Sequence, residues 1–385
     1  MPAISQTDLD NTLLRFAVHT RQLTGIPLRQ SSSSQWPPQL ASPPPHFTPI
    51  LNTHTPIIIN NTLNDRSRLW KEWQSTSYLI SRMGGARSFP VALTPNGRAD
   101  DLVSSLEEDD KIVFALPHEQ EMNFQQLINA LHPPPSSGKN IAYLQSQNSN
   151  LTTSSSGEQE GPFQPLLEDL LHSSSTGTTK PYPAWAEEAI GKAPEATNIW
   201  IGTSKSRSSM HRDHYENLFL VVRGTKTFTV IPPTEAHFLS AEDTFYPLYQ
   251  WTPSSPTSTT LKLEPLPSHP STPWIPIDPL TTPTPPDRPN PHPQADARWT
   301  HFRSALDPLR ITVHAGQMLY LPSGWYHAVE QTEDSPSNEG GGEGICLALN
   351  WWWEAEVGER WAWLSLVREL GRKTAGVYEE DEEMV

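Results

Sequence analysis

His211-Arg212-Asp213 and, far downstream, His327 are the residues whose types and spacing suit chemistry. Two imidazoles and one carboxylate can occupy one face of a metal ion and leave the other face open, a ligand set that suits non-haem Fe(II) in O2-activating proteins. Side chains alternate along an extended segment, so His211 and Asp213 point to one side and Arg212 to the other. The third ligand is expected from a strand on the facing sheet, and His327 begins such a strand after a tight turn. The triplet alone carries nothing, because 14 His and 43 acidic residues in 385 yield roughly 1.6 His-x-Asp/Glu triplets by chance. The chain holds two, one directly after the other, His211–Asp213 and His214–Glu216. Alternation sends His214 to the opposite face, and both it and Glu216 are left out of the metal shell.

The elements that must position these residues are short strands. From Asn198 the chain reads as strands over 198–201 and 218–222, then a turn at Arg223-Gly224-Thr225 and a strand over 226–231; the pattern predicts a hairpin across that turn. Strands resume over 309–313, 318–321, 325–331 and 345–351, with Gly/Pro turns between them and a hairpin tip over 334–344. Many short antiparallel strands argue for a sandwich or jelly roll. Upstream, the apolar spacing predicts helices over 7–23, 66–83 and 124–131, with strands over 57–59, 89–93, 111–116 and 140–145.

Proline numbers 40, about double the usual share of roughly 5%, and it is clustered. Ser/Pro-rich loops fall near 30–45, low-complexity inserts near 152–181 and a Pro/Thr/Ser-rich insert over 253–296, where Trp274–Leu280 is expected to pin the tract to the core. The organisation read from this is an N-terminal supporting region over 1–139, a catalytic barrel over 140–352, a C-terminal helix over 353–378 with one apolar stripe, and an acidic tail over 379–385. The formal charge of −16, with no basic patch, speaks against a nucleic-acid partner. Cys346 is the only cysteine, which excludes intramolecular disulfides and thiolate zinc sites and points to a reducing compartment, cytoplasm or nucleus. No charged-then-apolar leader and no apolar run near the ~18 residues of a membrane span are seen, so a soluble protein is expected.

Together the segments resemble the JmjC/cupin-like 2-oxoglutarate oxygenases, closest to the branch described as bifunctional peptidase and (3S)-lysyl hydroxylase, which modifies a lysine in translation-associated GTPases. The resemblance rests on 91–97, 141–150, 183–189, 198–202, 211–218, 274–280, 315–322 and 349–352, in the family's order. It implies a mainly β double-stranded β-helix with flanking N-terminal helices and a C-terminal helix. It also implies Fe(II), 2-oxoglutarate as cosubstrate and O2, with His211, Asp213 and His327 as the iron ligands. Lys226 would pair with the distal carboxylate of 2-oxoglutarate, and Tyr143 and Ser208 would donate hydroxyl hydrogen bonds to it. Ser208 departs from the usual threonine, keeping the hydroxyl and losing the methyl. Asn217 and Asn350 would lie near the metal-proximal end of the cosubstrate. The substrate would be a protein or peptide, and the C-terminal helix is a candidate homodimer contact. The alternatives are an N-methyl-lysine demethylase, a metallopeptidase (though no His-Glu-x-x-His motif is present) and a non-catalytic cupin-like binding module.

Overall fold

The computed structural model describes residues 5–31, 36–63, 68–105, 111–134, 140–145, 149–152, 161–172, 180–240, 245–256, 258–267, 271–280, 293–335, 343–356, 358, 362, 364–366 and 369. Helix α1 (Gln6–Thr24) is capped by Ser5, whose side chain accepts from the Asp8 amide, and it ends at Gly25 in the left-handed conformation. Strand β1 (Gln39–Leu40), helix α2 (Thr48–Leu51) and strand β2 (Ile57–Ile59) follow. The helix expected over 66–83 is broken into α3 (Arg68–Lys71) and α4 (Thr76–Met83). Ser75 takes extended geometry between them and caps α4 by accepting from the Tyr78 amide, the competition with helix that serine side chains offer.

Next come β3 (Phe89–Thr94), β4 (Arg98–Ala99), β5 (Asp101–Ser105), β6 (Lys111–Leu116), β7 (His118–Met122), α5 (Phe124–Leu131), β8 (Ile141–Tyr143), α6 (Gln164–His172) and α7 (Ala184–Ile190). The barrel strands are β9 (Ala196–Gly202), β10 (Arg207–Arg212), β11 (Tyr215–Arg223) and β12 (Thr225–Ile231). After a 3-10 turn over Pro233–Leu239, β13 (Phe245–Pro253), β14 (Leu261–Pro265), β15 (Ser271–Pro273) and α8 (Pro293–Ala305) lead to β16 (Leu309–His314), β17 (Met318–Leu321), β18 (Tyr326–Thr332) and β19 (Cys346–Glu354).

Two sheets make the barrel. One has the order β1-β2-β17-β11-β19-β9 and the other β16-β12-β18-β10-β4. Phe219, Val221 and Leu319 of the first share a core with Phe228, Val230 and Ile311 of the second, the double-sheet arrangement expected from the short strands. The hairpin expected across Gly224 is absent. β11 pairs with β17 and β19, whereas β12 pairs with β16 and β18. The turn carries the chain from one sheet to the other, as do the connections between β16 and β17, β17 and β18, and β18 and β19. Gly224 sits at φ 71, and a Cβ there would run into the Thr332 carbonyl oxygen, so a glycine is required for the crossing.

β11 is apolar on both faces because both are covered. Phe219 and Val221 face the inter-sheet core, while Leu218, Leu220 and Val222 pack with Leu79, Phe124 and Leu127 of the N-terminal helices. The described part of the 253–296 tract, expected to be a low-complexity insert, carries strands. β14 and β15 pair with β13, which runs parallel to β6. Ile275 and Ile277 are buried against α1 and α8, and the Trp274 ring packs against Phe114 at 4.4 Å between centroids, tilted by 55°, which anchors the tract as expected. β19 runs two residues past the expected barrel end, to Glu354, and residues 362, 364–366 and 369 are helical. The acidic tail, the 334–344 tip over 336–342, and residues 153–160 and 173–179 of the 152–181 tract lie outside the described residues; α6 lies between the latter two. Among the described residues no helix is long and apolar enough to cross a membrane.

Candidate metal centre and cosubstrate pocket

β10 and β18 are hydrogen-bonded neighbours, and their register sets His211 directly across from His327. The third candidate ligand therefore comes from the adjacent strand of the same sheet, and the expectation of a facing sheet was wrong. A cross-strand pair puts two side chains about 4.5–5.5 Å apart at Cβ, close enough for a shared ion; the two rings lie 4.3 Å apart. Asp213 follows the last residue of β10, and its carbonyl accepts from the Gly324 amide at 2.8 Å, which ties the β10–β11 turn to the β17–β18 turn. Its Oδ2 lies 3.8 Å from His327 Nε2. One ligand atom from each of the three residues falls within 4.8 Å of the others.

The imidazoles are oriented by the backbone. His211 Nδ1 faces the Ser209 carbonyl at 2.7 Å, and His327 Nδ1 faces the Trp325 carbonyl at 3.0 Å. A carbonyl accepts, so each Nδ1 carries a proton, which leaves Nε2 as the atom of each ring that can bind a metal. Burial, and then the neighbouring His211, push His327 down to about 4. His327 is thus neutral near pH 7, as a metal ligand must be.

The trio opens into a cavity of about 630 Å³ that Tyr143, Ser208, Asn217, Lys226 and Asn350 also line. Lys226 shares a face of β12 with Phe228 and points between the sheets; only 1% of it is exposed. Its Nζ donates to Tyr143 Oη at 3.0 Å and lies over the Tyr143 and Phe219 rings. Among the described residues no carboxylate pairs with it. A buried ammonium left without an anion is costly, so this lysine suits an anionic ligand. Tyr143 reaches it because Gly202 leaves room: a Cβ there would sit 2.8 Å from Tyr143 Cδ2. Ser208 lies upstream of the bulge that separates it from His211.

Asn217 and Asn350 are neighbours on β11 and β19, 4% and 0% exposed. Asn350 Nδ2 donates to Asn217 Oδ1 at 3.2 Å, while Asn350 Oδ1 accepts from Trp200 Nε1 at 2.8 Å and Asn198 Nδ2 at 3.1 Å. With its oxygen engaged, Asn217 is left to present Nδ2 to the cavity. Asn198 and Trp200 of β9 orient this relay and were missed as site residues. Their i, i+2 spacing carries the signal, since it sets both on one face of a strand. Asp100, Glu119, Gln145 and Gln250 also line the cavity; they come from β-turns and strands far from the motif, and nothing local marks them. His214 packs on Tyr215, and Glu216 accepts from Tyr320 Oη at 2.7 Å; neither belongs to the metal-ligand cluster.

The cupin-like domain family matches residues 43–359. The lysine-specific demethylase JMJ32 of Arabidopsis thaliana is 30% identical over 343 residues, 85% of each chain. The bifunctional peptidase and (3S)-lysyl hydroxylase JMJD7 of Homo sapiens is 31% identical over 322 residues, 82% of each, and JmjC domain-containing protein E of Dictyostelium discoideum is 30% identical over 324 residues, 83% of each.

This chain belongs to the cupin-like JmjC family.

JmjC oxygenases typically use Fe(II) and 2-oxoglutarate. The residues of this family member fit both groups: two imidazoles and a carboxylate for a divalent cation, and a buried ammonium with no carboxylate partner among the described residues for a dicarboxylate.

Proposed function

We propose that this protein is an Fe(II)- and 2-oxoglutarate-dependent dioxygenase that hydroxylates a protein side chain, a lysine in a translation-associated GTPase. The observation that carries the reading is the presence, in one cavity, of the His211–Asp213–His327 trio and of Lys226, buried with no carboxylate partner among the described residues. A binding module without catalysis would have no need of both. The likeness to a lysyl hydroxylase over 82% of the chain supports the choice of substrate.

In this reading His211, Asp213 and His327 hold the iron, and the carbonyls of Ser209 and Trp325 keep both imidazoles in the tautomer that binds it. Lys226 and Tyr143, with Ser208 beside them, hold the distal carboxylate of 2-oxoglutarate. Asn217, oriented through Asn350, donates toward its metal-proximal end. When bound, iron and 2-oxoglutarate supply the oxidising power to cleave an unactivated C–H bond with O2, releasing succinate and carbon dioxide. The aromatic lining from Trp200, Phe219 and Trp352 excludes water from that chemistry.

The relative named as a lysine demethylase supports a second reading from the same site. Hydroxylation of an N-methyl carbon leaves a hemiaminal whose C–N bond breaks to give formaldehyde and the free amine, so which carbon the site presents to the metal separates the two outcomes. The test is succinate formation by the Fe(II)-supplemented protein, with lysine-containing peptides from translation GTPases and their methylated forms, beside His211→Ala. Peptide-dependent turnover with the mass gain of one oxygen atom supports hydroxylation. Formaldehyde release from methylated peptide moves the assignment to demethylation. Absence of both turnover and metal-dependent 2-oxoglutarate binding would sink the oxygenase reading.

A further inference from the structure

The cavity carries a second, opposite charge feature that metal and cosubstrate do not use. Asp100 stands at the bend between β4 and β5, with φ at 54. Its carbonyl accepts from Ser209 Oγ at 2.6 Å, which holds the bend against β10. Its carboxylate Oδ2 accepts from Gln145 Nε2 at 3.0 Å, and Oδ1 has no donor among the described residues. Glu119, exposed on β7, lines the same cavity and acts on Asp100 electrostatically. Among the described residues no Lys, Arg or His nitrogen lies within 4.0 Å of either carboxylate. Phe114 and Trp274, packed against each other with tilted rings, add an apolar surface to this lining.

We propose that Asp100, assisted by Glu119, is the residue that selects a cationic substrate side chain, by pairing with its ammonium while Phe114 and Trp274 cover the aliphatic stem. The inference rests on the oxygenase reading for the reaction and adds to it the group that chooses the substrate's charge. A largely buried carboxylate with one amide partner and no cation is held at a cost. Burial first, with the charges of Glu119 and Asp101, pushes Asp100 up to about 6, against the pull of Gln145 and His211. An arriving ammonium offsets that cost, whereas an uncharged side chain of equal length leaves it in place, so discrimination follows from desolvation as well as attraction. Lys226 does not compete, because it is engaged with Tyr143 and reserved for an anion.

The test uses two fluorescein-labelled, capped nonapeptides of Gly, Ala and Ser with one central residue, lysine in one and norleucine in the other. Binding to the full-length protein is read by anisotropy without turnover. The wild type is expected to favour lysine by about tenfold, the worth of one charge-assisted hydrogen bond. Asp100→Asn should bring the two peptides to parity, and Asp100→Glu should keep a preference. Should Asp100→Asn melt early, Gln145→Lys provides an independent check, since an ammonium placed beside Asp100 neutralises it and should also abolish the preference. A lysine preference that survives in Asp100→Asn and Gln145→Lys overturns the proposal. So does equal binding, or no binding, of both peptides by the wild type. Metal-dependent 2-oxoglutarate binding by the wild type is measured separately. Its absence would remove the oxygenase reading while leaving the charge selection by Asp100 to be judged on the peptides.

Discussion

At the scale of single residues the site is a set of charges placed where water cannot screen them. Lys226 shows this best, since an ammonium this buried, with a phenol oxygen and two ring faces but no carboxylate beside it among the described residues, is costly to hold without an anionic ligand. Lys226→Met keeps the stem and removes the charge. It is expected to raise the melting temperature of the ligand-free protein, by the equivalent of about 1–2 kcal/mol, and to weaken 2-oxoglutarate binding by about tenfold to a hundredfold. Calorimetry of both variants reads the two effects, and a lower melting temperature would show that the charge is not a burden. His327→Ala removes a candidate ligand from a neutral, backbone-oriented position. Metal affinity is expected to fall by more than about a hundredfold, measured by titration with Mn(II).

Elements decide where those residues meet. The turn at Gly224 delivers Lys226 to the sheet that carries both histidines, because it moves the chain from the β11 sheet to the β12 sheet. Gly224→Ala is expected to cost about 1–3 kcal/mol through the left-handed backbone and the contact with the Thr332 carbonyl, read as a drop in the urea midpoint. Asn198→Ala removes one of two donors to Asn350 Oδ1. The loss of that buried hydrogen bond is expected to cost about 1 kcal/mol and to weaken 2-oxoglutarate binding, while Asn217→Ala should affect binding more than folding. An Asn198→Ala protein with unchanged cosubstrate affinity would show that the relay is structural only.

Across the whole molecule, helix α1 is tied to the barrel by buried charge. Arg21 pairs bidentately with Glu235 at 2.6 and 2.7 Å, both fully buried, and His237 Nε2 meets Asp10 at 2.7 Å. Glu235→Ala leaves a buried guanidinium unpaired and is expected to destabilise by about 3–5 kcal/mol. Burial pushes Asp10 up, but the hydrogen bond and charge of His237 overrule it and hold Asp10 below its usual value. A carboxyl lowered in the folded state stabilises above its unfolded pKa, and that contribution is lost as pH falls through the folded value. Asp10→Asn should therefore melt below the wild type at neutral pH, with the gap closing in strong acid. A gap that persists there would assign the effect to packing.

The sequence by itself determined the local facts. The HxD triplet, the second histidine, the strand segments and the order of motifs that places the chain in its family are all properties of short windows, where period-two alternation and turn residues act between near neighbours. Only the tertiary structure decided which strands pair. Local pattern made 218–231 a hairpin and put His327 on a facing sheet, yet pairing between β10 and β18 set it across from His211, and β11 and β12 went to different sheets. Both outcomes leave the alternation of each strand unchanged, so no local signal separates them. The same holds for Asp100 and for the amide relay, whose partners Gln145, Ser209 and Asn350 are distant in sequence. Register and burial are set by contacts between remote segments, and the electrostatics of the cavity follow from those contacts.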